Sequence, residues 1–207
     1  MIVRNLGLAP YETVYEAMKE FTETRTIDTP DELWVVEHPA VYTQGQNGKP
    51  EHILNPQGIP IIKVDRGGQV TYHGPGQVVI YTLINFKKRN CGVRSLVRAL
   101  ENAVIATLKD YGIDGAGDVN APGVYVDGKK IAALGLRIRK GSVYHGLSLN
   151  VDMDLMPFKG INPCGYQGLE VIQMADFIVG LDILEVEEKL LSHLEHYLSE
   201  AELSKPH

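Results

Sequence analysis

Between Gly123 and Val151 the chain carries three β-prone runs: Gly123 to Val126, Lys130 to Ile138 and Val143 to Val151. They are separated by the turns Asp127-Gly128 and Lys140-Gly141. Asp-Gly between such runs is a strong hairpin signal, because the turn that matches strand twist needs positive φ at both central residues. The segment therefore reads as an antiparallel three-strand meander. Two helices stand out around it. From about Gly92 to Tyr111, Leu96, Leu100, Val104 and Leu108 form one stripe, with Gly112 placed to end the helix. Val186 to Leu203 repeats the pattern with Val186, Leu190, Leu194 and Leu198. A third helix is expected from Pro10 to Phe21, through Tyr11, Val14, Met18 and Phe21. Leu33 to Val36, Ile59 to Val64 and Gln77 to Phe86 read as further strands. The order helix, strands, helix, strands, helix gives an α+β class, with a mixed or antiparallel sheet flanked by helices. Regular βαβ alternation is missing, which argues against a Rossmann fold.

The 207 residues fit a single domain, 1–207, and 44% hydrophobic with 22% charged is ordinary globular usage. Two cysteines, Cys91 and Cys164, cannot build a disulfide framework or a four-cysteine zinc site, and no Cys/His pair has metal-ligand spacing. No metal is expected. Met1 to Pro10 lacks the pattern of a secretory signal, and no run approaches the ~18 apolar residues of a membrane helix. The expectation is a cytoplasmic, monomeric protein with free thiols and no membrane partner. A net charge of −6 argues against nucleic-acid binding. The charge is uneven, however. Pro60 to Leu100 holds seven Lys/Arg against Asp65 alone, and Lys129 to Val151 holds five with no acid. Solvated, scattered charge is the commoner meaning of such a pattern; a patch for an anionic partner is the sharper one.

Three segments are odd for a plain core. In Arg66-Gly67-Gly68-Gln69-Val70-Thr71-Tyr72-His73-Gly74-Pro75-Gly76, glycine and proline take five of eleven positions after a strand. Glycine lets backbone approach a ligand closely, and Arg66, Thr71 and His73 add polar groups, so a binding loop is expected here. In Lys129 to Arg139, alternation puts Lys130 on the face of Ala132, Leu134, Leu136 and Ile138, and Lys129 with Arg137 and Arg139. Desolvation on that apolar face is expected to lower the pKa of Lys130. In Asn162-Pro163-Cys164-Gly165-Tyr166, Pro and Gly bracket a thiol in a tight turn, a poor core site, whereas Cys91 suits burial before a helix. A thiol nucleophile needs a cation or base beside it; Lys130, His73 and His145 are the candidates.

These segments resemble the lipoyl(octanoyl) transferase family. The match runs from about Leu33 to Glu170. It includes Arg66 to Gln77, Ala121-Pro122-Gly123-Val124-Tyr125-Val126, Lys130-Ile131-Ala132-Ala133-Leu134-Gly135-Leu136, His145-Gly146-Leu147-Ser148-Leu149-Asn150-Val151 and Asn162 to Tyr166, with Glu37-His38-Pro39 and Thr43-Gln44-Gly45. The resemblance implies the catalytic fold of biotin and lipoate protein ligases, with a lipid tunnel. It implies a dyad of Cys164 and Lys130. It implies substrate contacts from Arg66, Gly67, Gly68, Gln69, Val70, Thr71, Tyr72 and His73, from Ala133, Leu134 and Gly135, and from Gly146, Leu147 and Ser148.

The implied reaction is octanoyl transfer from the phosphopantetheine arm of acyl carrier protein to a lysine of a lipoyl domain, through a thioester on Cys164. The acceptors would be lipoyl domains of 2-oxoacid dehydrogenase complexes and the glycine cleavage H protein. No cofactor, ATP or metal is implied. Val70, Leu134, Leu136 and Leu147 are expected to line the tunnel. Lys87, Lys88, Arg89, Arg94, Arg98, Arg137, Arg139 and Lys140 are the candidates for docking the acidic carrier. An ATP-dependent ligase on the same fold would need no nucleophilic cysteine, and a non-catalytic acyl-binding module would not need the Cys164/Lys130 pair.

Overall fold

The structure is a computed structural model and describes residues 1–89 and 91–199. Its strands are β1 (Ile2–Leu8), β2 (Glu32–Glu37), β3 (Val41–Gln44), β4 (Ile61–Lys63), β5 (Val70–His73), β6 (Gln77–Asn85), β7 (Ala116–Gly117), β8 (Gly123–Val126), β9 (Lys129–Arg139) and β10 (Ser142–Asn150). The helices are α1 (Tyr11–Thr24), α2 (Val93–Asp110) and α3 (Ile183–Tyr197). The larger sheet has the order β1-β2-β6-β10-β9-β8-β7 and is antiparallel except for the parallel β1–β2 pair. A smaller sheet, β4-β3-β5, carries the segment before the glycine-rich loop and part of that segment itself. Mixed sheets with flanking helices make the chain α+β, as the sequence implies.

Period-two alternation divides the larger sheet between two helical layers. On one face Leu33, Val35, Val78, Ile80 and Leu149 pack with Leu96, Leu100 and Val104 of α2 and Leu190 and Leu194 of α3. On the other, Trp34, Val36, Val79, Tyr81 and Leu83 pack with Tyr11, Val14 and Met18 of α1. The α2 stripe Leu96, Leu100, Val104, Leu108 is entirely buried; each such leucine contributes about 1.5–3 kcal/mol relative to exposure. Gly112 ends α2 at φ +72°, with Ile113 N–H bonded to Leu108 O and Gly112 N–H to Lys109 O. That is the paired bonding of a glycine-terminated helix. Both meander turns carry positive φ at their two central residues, Asp127 (49°) with Gly128 (77°) and Lys140 (51°) with Gly141 (83°).

The structure departs from the sequence reading in several places. β1, β3 and the short β7 were not expected as strands. Val70–His73 is not loop but a fully buried strand paired to β3. The expected last helix, Val186 to Leu203, starts earlier, at Ile183, with Asp182 accepting the Leu184 N–H; it ends at Tyr197, and its expected final residues, 200–203, lie outside the described residues.

Candidate active site

Alternation fails at the one place where it matters most. β8 pairs Val124 with Ala132 but Tyr125 with Lys130, so Ile131 is an extra residue and β9 bulges there. Ile131 and Ala132 both enter the core under α2, with Leu134 and Leu136. Lys130 is thrown to the opposite face, with Ala133 and Ser148. The expected grouping of Lys130 with Ala132, Leu134 and Leu136 is therefore wrong, and the bulge is the reason. The Lys130 backbone is held from outside the sheet: its N–H donates to Glu170 O and its carbonyl accepts from Ile172 N. Asn150 Nδ2 in turn donates to Ile172 O at 2.9 Å, and Gln77 Nε2 to Asn150 Oδ1 at 2.9 Å.

Cys164 sits in the Asn162–Tyr166 turn at φ 56°, ψ 15°, followed by Gly165 at φ 80°. A left-handed conformation at a non-glycine residue costs about 1–2 kcal/mol. The turn tolerates it because Gly165 N–H bonds Asn162 O, Tyr166 N–H bonds Pro163 O, and Asn162 N–H bonds His52 O. Gly165 is also covered by Gln69, whose Cγ would meet a Cβ at 2.8 Å.

The bulge and the turn meet. Lys130 Nζ lies 3.0 Å from Cys164 Sγ and 3.3 Å from Pro122 O, and 5.1 Å from the Tyr125 ring centroid. Burial pulls the Lys130 pKa down, but the Cys164 sulfur and Tyr125 more than offset it, and the net direction is up. The expected lowering is thus reversed while the sulfur stands opposite. Neither histidine candidate bonds Cys164. His73 Nδ1 faces Gln77 Oε1 at 2.8 Å, and burial lowers its pKa to about 3. His145 Nε2 faces Asp65 Oδ1 at 3.1 Å, and burial lowers its pKa despite that carboxylate. Cys91 is a different kind of thiol: burial raises its pKa and its sulfur faces Phe86 O.

The dyad borders a cavity of about 500 Å³. Arg66 to Thr71, His73, Ala133 to Gly135, Gly146 to Ser148, Lys130 and Cys164 all line it. Register explains the convergence of two of these segments: Ala133, Leu134 and Gly135 pair with Ser148, Leu147 and Gly146. Pairing with β8 ends at Ala133, so beyond it β9 is not paired on that side, and Gly67 N–H bonds the exposed edge at Leu136 O. Arg66 is buried there, with Nη2 bonded to Thr43 O (2.7 Å) and Thr43 Oγ1 (2.9 Å). Gly45, Gln46 and Asn47 bond the loop backbone at Gln69, Arg66 and Gly68. Tyr72 does not line the cavity; it packs into the core of the smaller sheet against Tyr42 and Phe158. Tyr11, Tyr81, Val93, Val97, Pro122 and Tyr166 also line the cavity. Pro122 and Tyr166 fall within the motifs that carry the family resemblance, whereas nothing in the local pattern of Tyr11, Tyr81, Val93 or Val97 marks them.

Residues 10–195 match the lipoyl protein ligase A/B catalytic domain family. An octanoyltransferase from Laribacter hongkongensis is 60% identical over 199 residues, covering 96% of each chain. The chain belongs to the octanoyltransferase family. It is therefore an acyltransferase. Among solved structures, a bi-partite lipoate protein ligase from Thermoplasma acidophilum aligns with TM-score 0.76 at 19% identity, covering 96% of this chain and 84% of that one. Biotin protein ligase from Aquifex aeolicus aligns with TM-score 0.60 at 13% identity, covering 99% and 72%. At these identities the likeness is one of fold. The apolar part of the cavity lining includes Val70, Val97, Leu134, Leu136 and Leu147.

The expected docking residues are not equivalent. Arg89 is spent on Asp31, Arg137 lies near Asp65, and Arg139 and Lys140 pair with Glu23. Lys87, Lys88, Arg94 and Arg98 are exposed and form no ion pair among the described residues. Among the described residues no group of three His, Cys, Asp or Glu side chains is arranged for a metal, and no helix is long and apolar enough to cross a membrane.

Proposed function

We propose that this octanoyltransferase works by two-step acyl transfer through a thioester on Cys164, with acyl carrier protein as donor and a lipoyl-domain lysine as acceptor. The carrying observation is the 3.0 Å contact between Lys130 Nζ and Cys164 Sγ at the wall of the cavity. An ammonium at that distance favours charge on sulfur and prepares the nucleophile.

In the first step the Cys164 thiolate attacks the donor thioester carbonyl. The carbon–sulfur bond to pantetheine breaks, and the leaving thiolate takes a proton from the Lys130 ammonium. Acyl-Cys164 and a neutral Lys130 remain. The sulfur no longer carries charge, so burial now dominates at Lys130 and favours the neutral amine. In the second step the acceptor amine attacks the thioester, Lys130 takes its proton, and Cys164 leaves as thiolate. The ammonium–thiolate pair is restored, so neither ATP nor a metal enters the cycle.

The eight-carbon chain occupies the cavity along Leu134, Leu136 and Leu147, at about 0.8 kcal/mol per buried methylene. Lys87, Lys88, Arg94 and Arg98 present the basic surface for the acidic carrier, speeding encounter. The acceptors are lipoyl domains of 2-oxoacid dehydrogenase complexes and the H protein of glycine cleavage, and the setting is cytoplasmic. The test is intact-protein mass spectrometry after mixing with octanoyl-acyl carrier protein without ATP. A hydroxylamine-labile octanoyl adduct that vanishes in Cys164→Ser supports the reading. Transfer only when ATP and free octanoate are supplied overturns it.

A further inference from the structure

A lysine ammonium sits at the end of four flexible methylenes, so its position depends on what holds that end. Around Lys130 Nζ the contacts are Cys164 Sγ, the Pro122 carbonyl and the Tyr125 ring. Pro122 immediately precedes β8 and Tyr125 lies within it. A charged side chain ties β8 to α2: Glu101 Oε1 accepts the Gly123 N–H at 3.0 Å. Gly123 stands at φ +145°, and a Cβ there would lie 3.1 and 3.2 Å from Lys130 Cε and Nζ. The Gly123 backbone is thus part of the wall along the lysine stem. The other oxygen of Glu101 lies beside Gly117 of β7, where a Cβ would meet it at 3.3 Å. The helix behind it is anchored by fully buried Leu100 and Val104.

We propose that Glu101 is a positioning residue for acyl transfer, acting through Gly123 to hold Pro122 and Tyr125 around the Lys130 amine. The need is unequal between the two half-reactions. Before acylation the thiolate itself attracts the ammonium. After acylation that attraction is gone, and placement of the amine falls more heavily on Pro122 O and the Tyr125 ring. Loss of Glu101 therefore slows transfer to the acceptor more than formation of acyl-Cys164. The inference rests on the thioester reading.

The experiment follows the two half-reactions separately by rapid-quench mass spectrometry, with octanoyl-acyl carrier protein as donor and a lipoyl domain as acceptor. It compares wild type with Glu101→Ala, Glu101→Gln and Tyr125→Leu. In Glu101→Ala, transfer from acyl-Cys164 slows by about tenfold or more, since small misplacements of a catalytic group carry penalties of that size. Adduct formation and donor KM change much less. Glu101→Gln keeps an oxygen for Gly123 N–H and restores transfer. Tyr125→Leu leaves Glu101 in place and reproduces the second-step defect, which covers the case of a poorly folded Glu101→Ala. Equal slowing of both steps in Glu101→Ala, or no slowing, overturns the inference, as does a Glu101→Gln no better than Glu101→Ala. Should wild type form no adduct at all, the thioester reading falls first and this inference with it.

Discussion

Gly146 of β10 lies against the Ile80 carbonyl of β6, so close that a Cβ on Gly146 would stand 2.1 Å from that oxygen. The oxygen is backbone in the middle of the larger sheet and cannot withdraw. Its register partner Gly135 has softer surroundings, for a Cβ there meets Arg66 Cδ at 3.1 Å, partway along a flexible arm. The two glycines should therefore fail differently. Gly146→Ala is expected to lose about 1–3 kcal/mol of stability, the usual penalty of overpacking, visible in thermal or urea unfolding. Gly135→Ala should keep its melting temperature and show a raised donor KM, because it displaces Arg66 at the cavity wall. A Gly146→Ala protein as stable as wild type would contradict the close approach.

The two tasks assigned to Lys130 can be separated by substitution. Arginine keeps a positive charge beside Cys164 but stays protonated under any condition a protein survives. Lys130→Arg should still form the octanoyl adduct, slowly because the geometry differs, and then stall, so that acyl-enzyme accumulates. Lys130→Ala should lose both steps, by about a hundredfold or more as for other removed proton-transfer groups. Small primary amines added to the buffer should restore part of that loss. An Arg variant that turns over without accumulating adduct would show that no base is needed at this position.

The cysteine turn and the α2 stripe are legible in sequence because each is a local signal: Pro163 and Gly165 bracket Cys164, and Leu96 to Leu108 recur every fourth residue. The meander is legible for the same reason, through Asp127-Gly128 and Lys140-Gly141. The facing of Lys130 is not. Period-two counting has no symbol for the bulge at Ile131, and one extra residue inverts every side chain before it. β5 is concealed by composition: Val70–His73 is flanked by Gly67, Gly68, Gly74 and Gly76, and its pairing with β3 is a long-range contact. Glu101 and Asp65 look like ordinary exposed acids in the sequence. Only the fold shows that one bonds the Gly123 backbone and that the other takes Tyr144 OH and His145 Nε2.

Acid should destabilise this fold early. His38 bonds Ala9 O and Tyr81 OH and its pKa is lowered by burial to about 4; that of His73 is lowered to about 3. An unfolded histidine titrates near ~6.5. Below that value the unfolded chain binds protons that the folded chain refuses, so stability falls as pH falls. The loss begins near pH ~6.5 and continues until the folded-state values are reached. Asp31, Glu32 and Asp65 act in the same direction at lower pH, since their ion pairs and hydrogen bonds hold their pKa values down against burial. Urea midpoints measured from pH 8 to 4 should be flat at the top and drop below about 6.5. His38→Gln should flatten the upper part of that drop. Equal midpoints at pH 7 and 5 would show that these rings accept protons in the folded state.

Acyl-chain selection should respond to Val97. The side chain projects from α2 into the cavity, on the same side as Leu134, Leu136 and Leu147, yet it is one position removed from the buried stripe at Leu96. It can be enlarged without disturbing Leu96 or Leu100. Val97→Phe removes volume available to the acyl tail and should penalise donors in proportion to the methylenes displaced. At about 0.8 kcal/mol per methylene, each one lost from the pocket lowers kcat/KM by roughly fourfold. A hexanoyl donor should be little affected, octanoyl more, decanoyl most, with the melting temperature unchanged. The ratio of kcat/KM across the three donors is the quantity to measure, since it cancels any general loss of activity. Uniform loss across all three lengths would mean that the chain does not run toward α2, and that the pocket wall near Tyr11 and Tyr81 receives it instead.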